Sequence, residues 1–433
     1  MTQVNDFQPI QILEVDISKP LPSIPAVNPD NRHKYHRAMG LIRIHTQPIG
    51  VVELNFGNAG LSPDECAQQI WDGLCQAITE HMQRDELAAI TELSAAGLAY
   101  TDTPLCLRER EAFLADAPFV SIVVATRDRP ESLAVCLKAL MNLDYPNYEI
   151  IIVDNAPATT TTADFIKRTY GNVAKVRYVH ESRPGLSNAR NRGLEAVKAE
   201  IVAFTDDDTV VDSYWLVELV KGFQITSKVG CVTGLILPAE LETPTQLWSE
   251  QSSGFNKGFR RHIFDLEKNR PKTWLYPYSA GMFGVGASMA FTMSALRDIG
   301  GFDPALGVGT PAMGGEDLAA FFQIIQMGYA IVYEPTALLY HRHRREYEAY
   351  RRQVYSYGVG LTAYLTKCIF DHPRLLLDIG MKIPYGVAYI LNPRSPKNAK
   401  KQLNYPRELN FLEWRGMLYG PLAYYKSRYR SKT

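Results

Sequence analysis

Apolar runs alternate with amphipathic segments from residue 119 to about residue 345, and this pattern predicts a layered α/β sheet. Three short runs, Phe119–Ala125, Glu149–Val153 and Ile201–Thr205, are largely apolar, which is typical of strands covered on both faces. A further strand is predicted at Val176–His180. Helical patterns separate them, such as the one that begins at Pro130 and repeats leucine at every third or fourth position. Strands that alternate with helices predict βαβ units and a parallel sheet.

Shorter elements are predicted on both sides of this region. Before residue 118, strands at 38–46 and 49–56 precede a helix that starts at the capping box of Ser62 and Glu65. Further on, the predicted strands are Cys231–Leu237, Phe283–Thr292 and Ala330–Val332, and the predicted helices are Ser294–Ile299, Glu316–Met327 and Tyr347–Lys367. We expect an α+β module of unknown role at 1–117, a central α/β domain at 118–345 and a helical extension at 346–433.

Charge and cysteine content narrow the class of protein. The 433 residues include 46 basic and 46 acidic side chains, so the chain is neutral, which argues against a general nucleic-acid binder. The six cysteines form no C-x-x-C pair and lie apart from clustered histidines in the sequence. The first ten residues lack the basic and apolar segments of a secretory leader. We therefore expect reduced thiols and a cytoplasmic location.

Three consecutive carboxylates, Asp206, Asp207 and Asp208, directly follow the predicted strand Ile201–Thr205. In open α/β sheets, ligands bind beyond the carboxyl ends of the strands. Adjacent carboxylates repel one another, and a divalent cation with a preference for oxygen ligands relieves that repulsion. Side chains alternate along an extended backbone, so Asp206 and Asp208 point the same way. We expect a metal site here rather than a solvated acidic turn.

A second acidic pair, Glu316 and Asp317, follows Gly314-Gly315 at the start of a predicted helix. Glycine permits a tight turn and a close approach by a substrate. The helix dipole favours ionised carboxylates in the first turn, and an ionised carboxylate in a pocket can act as a general base. Taken alone, the pattern fits a general base and a simple helix cap equally well.

Two basic segments complete the set of candidate residues. The histidines of His341–Arg345 could bind a metal ion and its arginines could pair with phosphate, although we expect Arg344 and Arg345 to be solvated. The segment Arg183–Gly193 is a glycine turn that leads into a helix N-terminus. Such a terminus can bind an anion through its free N–H groups.

In this order, these segments resemble the family-two inverting glycosyltransferases of the GT-A fold. The resemblance covers about Phe119 to Arg345. Its typical stretches are VSIVVATRDRP, EIIIVDNAP, PGLSNARNRGLEAVKAEIVAFTDDD, GGFDPALG and GGED. It implies an α/β fold with a Rossmann-like, mostly parallel sheet flanked by helices, and it makes 118–345 the catalytic domain.

The resemblance also implies a role for each candidate residue. Asp317 would be the general base, with Glu316 beside it. Asp208, with Asp206 and His341, would hold Mn²⁺ or Mg²⁺. The nucleotide-sugar donor would contact Ala125, Thr126, Arg127, Asp154, Arg190, Asp206 and Asp207. The acceptor side would be lined by Gly301, Phe302 and Asp303.

The implied reaction moves one sugar from a nucleotide-diphosphate sugar to a hydroxyl of a glycan or lipid-linked acceptor. Processive members carry Q-x-x-R-W, whereas Gln353 is followed here by Val-Tyr-Ser-Tyr, so we expect single-sugar transfer. One alternative is a sugar-phosphate nucleotidyltransferase, which would need a glycine-rich loop where this chain has TRDRP. Another is a non-catalytic nucleotide-binding scaffold, which would have lost carboxylates that this chain retains.

The C-terminal segment 394–433 is basic and aromatic, with ten basic residues, two acidic residues and seven aromatic residues. Aromatic and basic side chains suit the surface of an anionic membrane, so one hypothesis is a peripheral contact at the inner face of the cell membrane. The other is packing on the N-terminal module, where residues 1–118 hold sixteen acidic and eight basic side chains. Charge alone leaves both open.

Overall fold

The computed structural model describes residues 7–57, 59–98, 103–401 and 404–430. The chain divides into two compact units, of which the first takes Met1–Ala117 together with Pro238–Leu247. The second takes Pro118–Leu237 and Trp248–Thr433. The described residues do not include residues 1–6, where the sequence predicts no secretory leader, or Lys432 of the basic C-terminal segment.

The smaller unit contains a sheet of three strands and two helices within its described residues. Its elements are β1 (Gln11–Asp16), β2 (Arg37–Ile44), β3 (Gln47–Asn55), α1 (Pro63–Arg84) and α2 (Leu105–Leu114). β1 pairs parallel with β2, and β2 pairs antiparallel with β3. The predicted capping box is present, because the Ser62 amide donates to Glu65 Oε2 at 2.8 Å while Ser62 Oγ accepts from the Glu65 amide. Helix α2 was not predicted from the sequence, because its apolar residues do not lie on one clear helical face.

The remaining elements, most of them in the larger unit, follow in chain order. They are β4 (Val120–Thr126), α3 (Pro130–Met141), β5 (Tyr148–Asn155), α4 (Thr161–Tyr170), β6 (Val176–Glu181), α5 (Leu186–Ala196), β7 (Ile201–Asp206), β8 (Thr209–Val211), α6 (Trp215–Lys221), β9 (Val229–Pro238), α7 (Pro244–Ser253), β10 (His262–Phe264), β11 (Met289–Thr292), α8 (Met293–Asp298), α9 (Glu316–Gln326), β12 (Ala330–His341), α10 (Tyr347–Asp371), α11 (Leu375–Leu391) and α12 (Arg407–Arg430).

These strands form one mixed sheet in the order β10-β12-β9-β11-β7-β4-β5-β6, with β8 paired to β12. The half made by β6, β5, β4 and β7 is parallel, as the apolar runs predict. In the other half, β11 runs antiparallel to β7 and β9, and β8 and β10 run antiparallel to β12. Since β7 and β9 are both antiparallel to β11, they run parallel to each other, and the α/β sheet flanked by helices that the sequence predicts is confirmed, with antiparallel pairs at β11, β8 and β10.

Two strands differ in length from the sequence prediction, and one of them, β12, carries His341 of the candidate site. The predicted strand Ala330–Val332 is only the start of β12, which continues for 12 residues to His341. Pro335 lies within it, and a proline in a strand pattern normally argues for an edge or an end. The predicted strand Phe283–Thr292 is shorter in the structure, because only Met289–Thr292 pairs with its neighbours.

The C-terminal helices have contrasting surroundings. Helix α10 packs closely on α12 through glycines: a Cβ atom at Gly416 would lie 2.2 Å from the carbonyl oxygen of Tyr355. In α11, by contrast, Ile379 is the one buried residue among those described. Within the described part of the chain, no helix is both long enough and apolar enough to cross a bilayer.

Candidate active site

The three consecutive aspartates lie at the end of β7 and in the turn to β8, and their side chains have different partners. Asp206, Asp208 and His341 each offer one ligand atom, and these three atoms lie within 4.8 Å of one another. Asp208 Oδ1 is 3.4 Å from His341 Nε2. Asp207 has other partners, because its buried carboxylate accepts hydrogen bonds from Thr126 Oγ1 at 2.7 Å and from Arg129. Its assignment to the donor site stays a prediction.

His341 reaches the aspartates through strand pairing. β12 runs antiparallel to β8, with His341 opposite Thr209, and the next amide, that of Arg342, donates to the Asp208 carbonyl at 3.1 Å. Among the described residues, the buried Nδ1 of His341 has no hydrogen-bond partner. Two carboxylates and one imidazole are suitable ligands for Mn²⁺. Mg²⁺ would bind mainly to the carboxylate oxygens. The residues present therefore fit a divalent cation.

Two arginines keep Asp208 ionised. Arg129 Nη2 lies 3.5 Å and Arg344 Nη2 lies 3.6 Å from Asp208 Oδ2. Burial raises the pKa of Asp208, but the hydrogen bond with His341 and the nearby positive charges outweigh it and hold that pKa below its usual value. For Asp206, burial prevails and the pKa is raised. Arg344, expected to be solvated, instead faces the aspartates, and Arg129 was missed although it directly precedes the proline that opens α3.

Arg190 on α5 connects the aspartates to the second acidic pair. Its guanidinium is buried, with Nη1 3.0 Å from Glu316 Oε1 and Nη2 3.1 Å from the carbonyl oxygen of Gly286. Nη2 also lies 3.5 Å from Asp206 Oδ1. Both terminal nitrogens therefore have protein partners, and the contact of Arg190 with the nucleotide stays a prediction.

The two carboxylates at the start of α9 differ in environment. Burial, together with the charge of Asp317, raises the pKa of Glu316 to about 7, against the lowering effect of Arg190. Asp317 is half-buried, and its Oδ2 accepts from the Gly286 amide at 2.9 Å while its Oδ1 accepts from the Leu318 amide at 2.8 Å. The preceding Gly315 has φ of +84°, and a Cβ atom there would lie 2.4 Å from the carbonyl oxygen of Gly360. Glycine is therefore required at this turn.

Gly286 is a site residue that sequence reasoning missed. Its amide holds Asp317 and its carbonyl holds Arg190, and a Cβ atom there would lie 3.1 Å from each of those side chains. The signal was present as a run of glycines in the uncharged segment 275–296, but nothing in the sequence connects that segment with α9.

The residues predicted to contact the nucleoside lie at the carboxyl ends of neighbouring strands. Ala125 is in register with Asp206, and Thr126 is in register with Asp154. Asp154 is fully buried, burial raises its pKa, and it accepts a hydrogen bond from the Tyr178 hydroxyl at 3.0 Å. The side chain of Arg127 is exposed, and its Nε lies 3.9 Å from Asp128 Oδ2. The roles of these four residues in binding the nucleoside stay predictions.

The residues predicted for the acceptor side lie partly in the core. Phe302 is buried beneath Arg190, with the guanidinium 5.4 Å from the ring centroid, and Asn191 binds both its amide and its carbonyl. Asp303 accepts from the Tyr424 hydroxyl at 3.0 Å, so it ties this loop to α12. Gly301 supplies the turn, with φ of +76°. These contacts support the site from below, and a direct acceptor contact stays a prediction.

Lys257 is a further charged group near Asp317 that the sequence did not indicate. Burial, and then the charge of Lys400, lowers its pKa to about 8, while the charge of Asp317 acts in the opposite direction. Lys257 lies in a loop between α7 and β10, where the sequence has neither a motif nor a periodic pattern.

Comparison with known proteins gives a consistent family. Residues 121–300 match the model for glycosyl transferase family 2. The pre-mycofactocin glycosyltransferase of Mycobacterium tuberculosis (strain CDC 1551 / Oshkosh) is 26% identical over 227 residues, which are 52% of this chain and 43% of that protein. The poly-beta-1,6-N-acetyl-D-glucosamine synthase of Staphylococcus epidermidis is 27% identical over 220 residues, 51% of this chain and 48% of the relative.

Among solved structures, mannosyltransferase PcManGT from Pyrobaculum calidifontis in complex with GDP-Man and Mn2+ aligns with a TM-score of 0.45 and 19% identity, over 76% of this chain and 95% of that one. The present chain spans less than half the length of the two curated relatives above. The family match covers β4 to α8, which carry the aspartates and Arg190. Residues 121–300 thus match a glycosyl transferase family 2 domain, in agreement with the motifs of that region.

Proposed function

We propose that this protein transfers a single sugar from a nucleotide-diphosphate sugar to an acceptor hydroxyl, with inversion and with the help of a divalent cation. The observation that carries the proposal is the meeting of two acidic sets at Arg190. That side chain contacts Asp206 of the possible metal set and Glu316 of the acidic pair. The buried guanidinium of Arg190 thus joins the proposed donor-binding residues to the proposed base. This arrangement suits a displacement at an anomeric carbon that lies between them.

On the donor side, Asp206, Asp208 and His341 would hold Mn²⁺ or Mg²⁺. When bound, the cation offsets negative charge on the departing nucleoside diphosphate. The chain contributes an Asp208 whose pKa is held low by His341 first and then by Arg129 and Arg344. Both arginines are partly exposed, so each can also donate to the diphosphate oxygens once the donor is present.

On the acceptor side, Asp317 is the proposed general base. It takes the proton of the acceptor hydroxyl while the new C–O bond forms and the bond from the anomeric carbon to the diphosphate oxygen breaks. Backbone amides of Gly286 and Leu318 hold its carboxylate in place. One in-line displacement inverts the anomeric configuration. The neighbouring Glu316 is fixed to Arg190, and we assign it a positioning role.

The acceptor is proposed to be lipid-linked, with α11 and α12 resting on an anionic bilayer surface. The charged side chains of α11, Asp378 and Lys382, pair with each other at 3.3 Å, and Asp378 accepts from Tyr278. The large apolar side chains of the helix face outward, with Leu377 77% and Met381 68% exposed. A helix that exposes its apolar side chains in this way suits the interfacial region of a membrane. The bases of 394–430 would meet anionic headgroups.

A donor screen tests the proposal. The protein would be incubated with a panel of nucleotide sugars, a polyprenyl phosphate or glycan acceptor, and Mn²⁺, Mg²⁺ or EDTA, and both products would be identified. We expect nucleoside diphosphate release that depends on the cation and an acceptor of inverted configuration. Pyrophosphate release from a nucleoside triphosphate and a sugar phosphate would favour the nucleotidyltransferase alternative. Nucleotide binding without turnover for any donor would favour the scaffold.

The division into an N-terminal module at 1–117, a catalytic domain at 118–345 and an extension at 346–433 is part of this proposal. In it, the central domain carries the chemistry and the extension brings it to the lipid-linked acceptor. The inner face of the cell membrane is the proposed place of action.

A further inference from the structure

A second cluster of ligand-type side chains lies in the smaller unit, away from the candidate active site. His45, His81, Asp85 and Cys106 are buried, and one ligand atom of each lies within 4.8 Å of the others. They come from three separate places: the turn after β2, the end of α1 and the first turn of α2. In the sequence they are scattered, which is why the cysteines gave no metal signal.

The ligand atoms converge around Asp85 Oδ2. Asp85 Oδ2 lies 2.9 Å from His45 Nδ1 and 3.2 Å from His81 Nε2. The same oxygen is 3.0 Å from Cys106 Sγ, and the two imidazole nitrogens are 3.3 Å apart. In a tetrahedral zinc site with bonds of about 2.0–2.3 Å, ligand atoms lie about 3.3–3.8 Å from one another. Outward shifts of a few tenths of an ångström would open the cluster to that size.

The charge balance is compatible with a metal. The side chains of His45 and His81 are completely shielded from solvent, and that of Asp85 is 5% exposed. Within the cluster, the buried Asp85 carboxylate accepts hydrogen bonds from both imidazoles and from Cys106. Zn²⁺ with one carboxylate, one thiolate and two neutral imidazoles is an uncharged group, so the whole site can be buried at little electrostatic cost.

One contact has to change when a metal enters. Arg84 Nη2 lies 3.0 Å from His81 Nδ1, and since arginine only donates, that nitrogen is the acceptor in this arrangement. Metal binding at Nε2 moves the ring proton to Nδ1 and ends this hydrogen bond. Arg84 is exposed at the end of α1, so its guanidinium can turn to solvent.

We propose that His45, His81, Asp85 and Cys106 bind one Zn²⁺, which fastens the turn after β2, the end of α1 and the start of α2 together. Mixed sulfur, nitrogen and oxygen ligands in a tetrahedron are typical of zinc. All four positions are filled by the protein, so the site is structural. On binding, the Cys106 thiol loses its proton to solvent and the thiolate becomes a ligand.

Metal analysis of the intact chain tests this site. The protein would be expressed with added zinc, dialysed without chelator, and its zinc measured by elemental analysis. We expect one tightly held zinc per chain in the wild type and in D208A, which removes the active-site set. We expect loss of that zinc in H81A and C106S, with H36A and C75S as controls because both parent side chains are exposed.

Cobalt substitution keeps the test decisive if those variants fail to fold. Wild-type protein reconstituted with Co²⁺ should show intense tetrahedral d–d bands and a thiolate-to-cobalt charge-transfer band, and chelation should lower the melting temperature. A wild type that retains no zinc and gives no thiolate–cobalt band would overturn the proposal. Undiminished zinc in H81A and C106S would overturn it equally, since the metal would then lie elsewhere.

Discussion

Arg190 and Glu316 form a buried ion pair in which Nη1 lies 3.0 Å from Oε1, although the two residues are 126 positions apart in the chain. The pair joins α5, which follows β6, to α9, which precedes β12. The other nitrogen of Arg190 contacts Gly286, whose amide holds Asp317. Asp317 and Asp206 are thus positioned by one connected network.

Replacing Asp208 with alanine should abolish cation-dependent turnover while the chain stays folded. Asp208 is the carboxylate that lies beside His341, Arg129 and Arg344, and its loss leaves two of the three ligands. Transfer assays over a range of Mn²⁺ concentrations, with circular dichroism as the folding check, would measure this. Wild-type activity that survives EDTA would contradict the cation requirement itself.

Replacing Asp317 with asparagine should lower transfer by about 10²–10⁴-fold, the usual range for loss of a general base. The amide is nearly isosteric, so donor affinity measured by calorimetry should stay within a few-fold of wild type. E195Q, on the exposed face of α5, is the matched control. Activity close to wild type in D317N would move the base role to Glu316 or to a group of the substrate.

Glu316 should make stability depend on pH in a known direction. Its pKa in the folded chain, about 7, lies above the ordinary value of 4.5, so folding favours the protonated form. The stabilising contribution is complete below the ordinary pKa and is lost as the pH rises through about 7. Thermal melts of wild type and E316Q from pH 5 to 8 should show a difference that shifts against the wild type with rising pH. A constant difference across that range would contradict the raised pKa.

Asp207 should matter for stability and little for metal binding, unlike its two neighbours. Its carboxylate accepts from Thr126 and Arg129, and its carbonyl accepts from Ser132 at 2.9 Å. D207N weakens a buried charged contact, which costs about 1–3 kcal/mol of unfolding free energy. Denaturant melts and Mn²⁺ titration would separate the two effects, with the exposed D144N as control. Loss of Mn²⁺ affinity as large as in D208A would show that Asp207 is a ligand.

Membrane contact should depend on the outward face of α11. L377S/M381S removes two side chains that are exposed in the folded chain, so stability should change little. If both enter the bilayer boundary, binding to anionic vesicles should weaken at least tenfold, given about 1.5–3 kcal/mol for full burial of each. Flotation at low and high salt would measure this, with M327S, at an exposed site outside α11, as control. Equal flotation of wild type and variant would exclude this face.

Strands β4, β5 and β7, with Asp206 and Asp208 at a strand end, could be predicted because each of these strands is a local apolar run. His341 was assigned to the metal set from the family resemblance alone, because its position depends on β12 continuing past Pro335 and pairing with the three-residue β8. Gly286 and Lys257 lie in long connections whose contacts are formed by tertiary structure alone. The cluster around Asp85 has the same origin, since its ligands span His45 to Cys106.

The segment Pro238–Leu247 belongs to the smaller unit although it interrupts the chain of the larger one. Within that unit, Tyr35 donates to Glu242 at 2.6 Å, and the Ile10 amide donates to the Leu241 carbonyl at 3.0 Å. A shortened protein that begins at residue 118 would keep this segment but lose every partner that it has before residue 118. Separating the two halves cleanly therefore takes two cuts, with residues 238–247 replaced by a short polar linker.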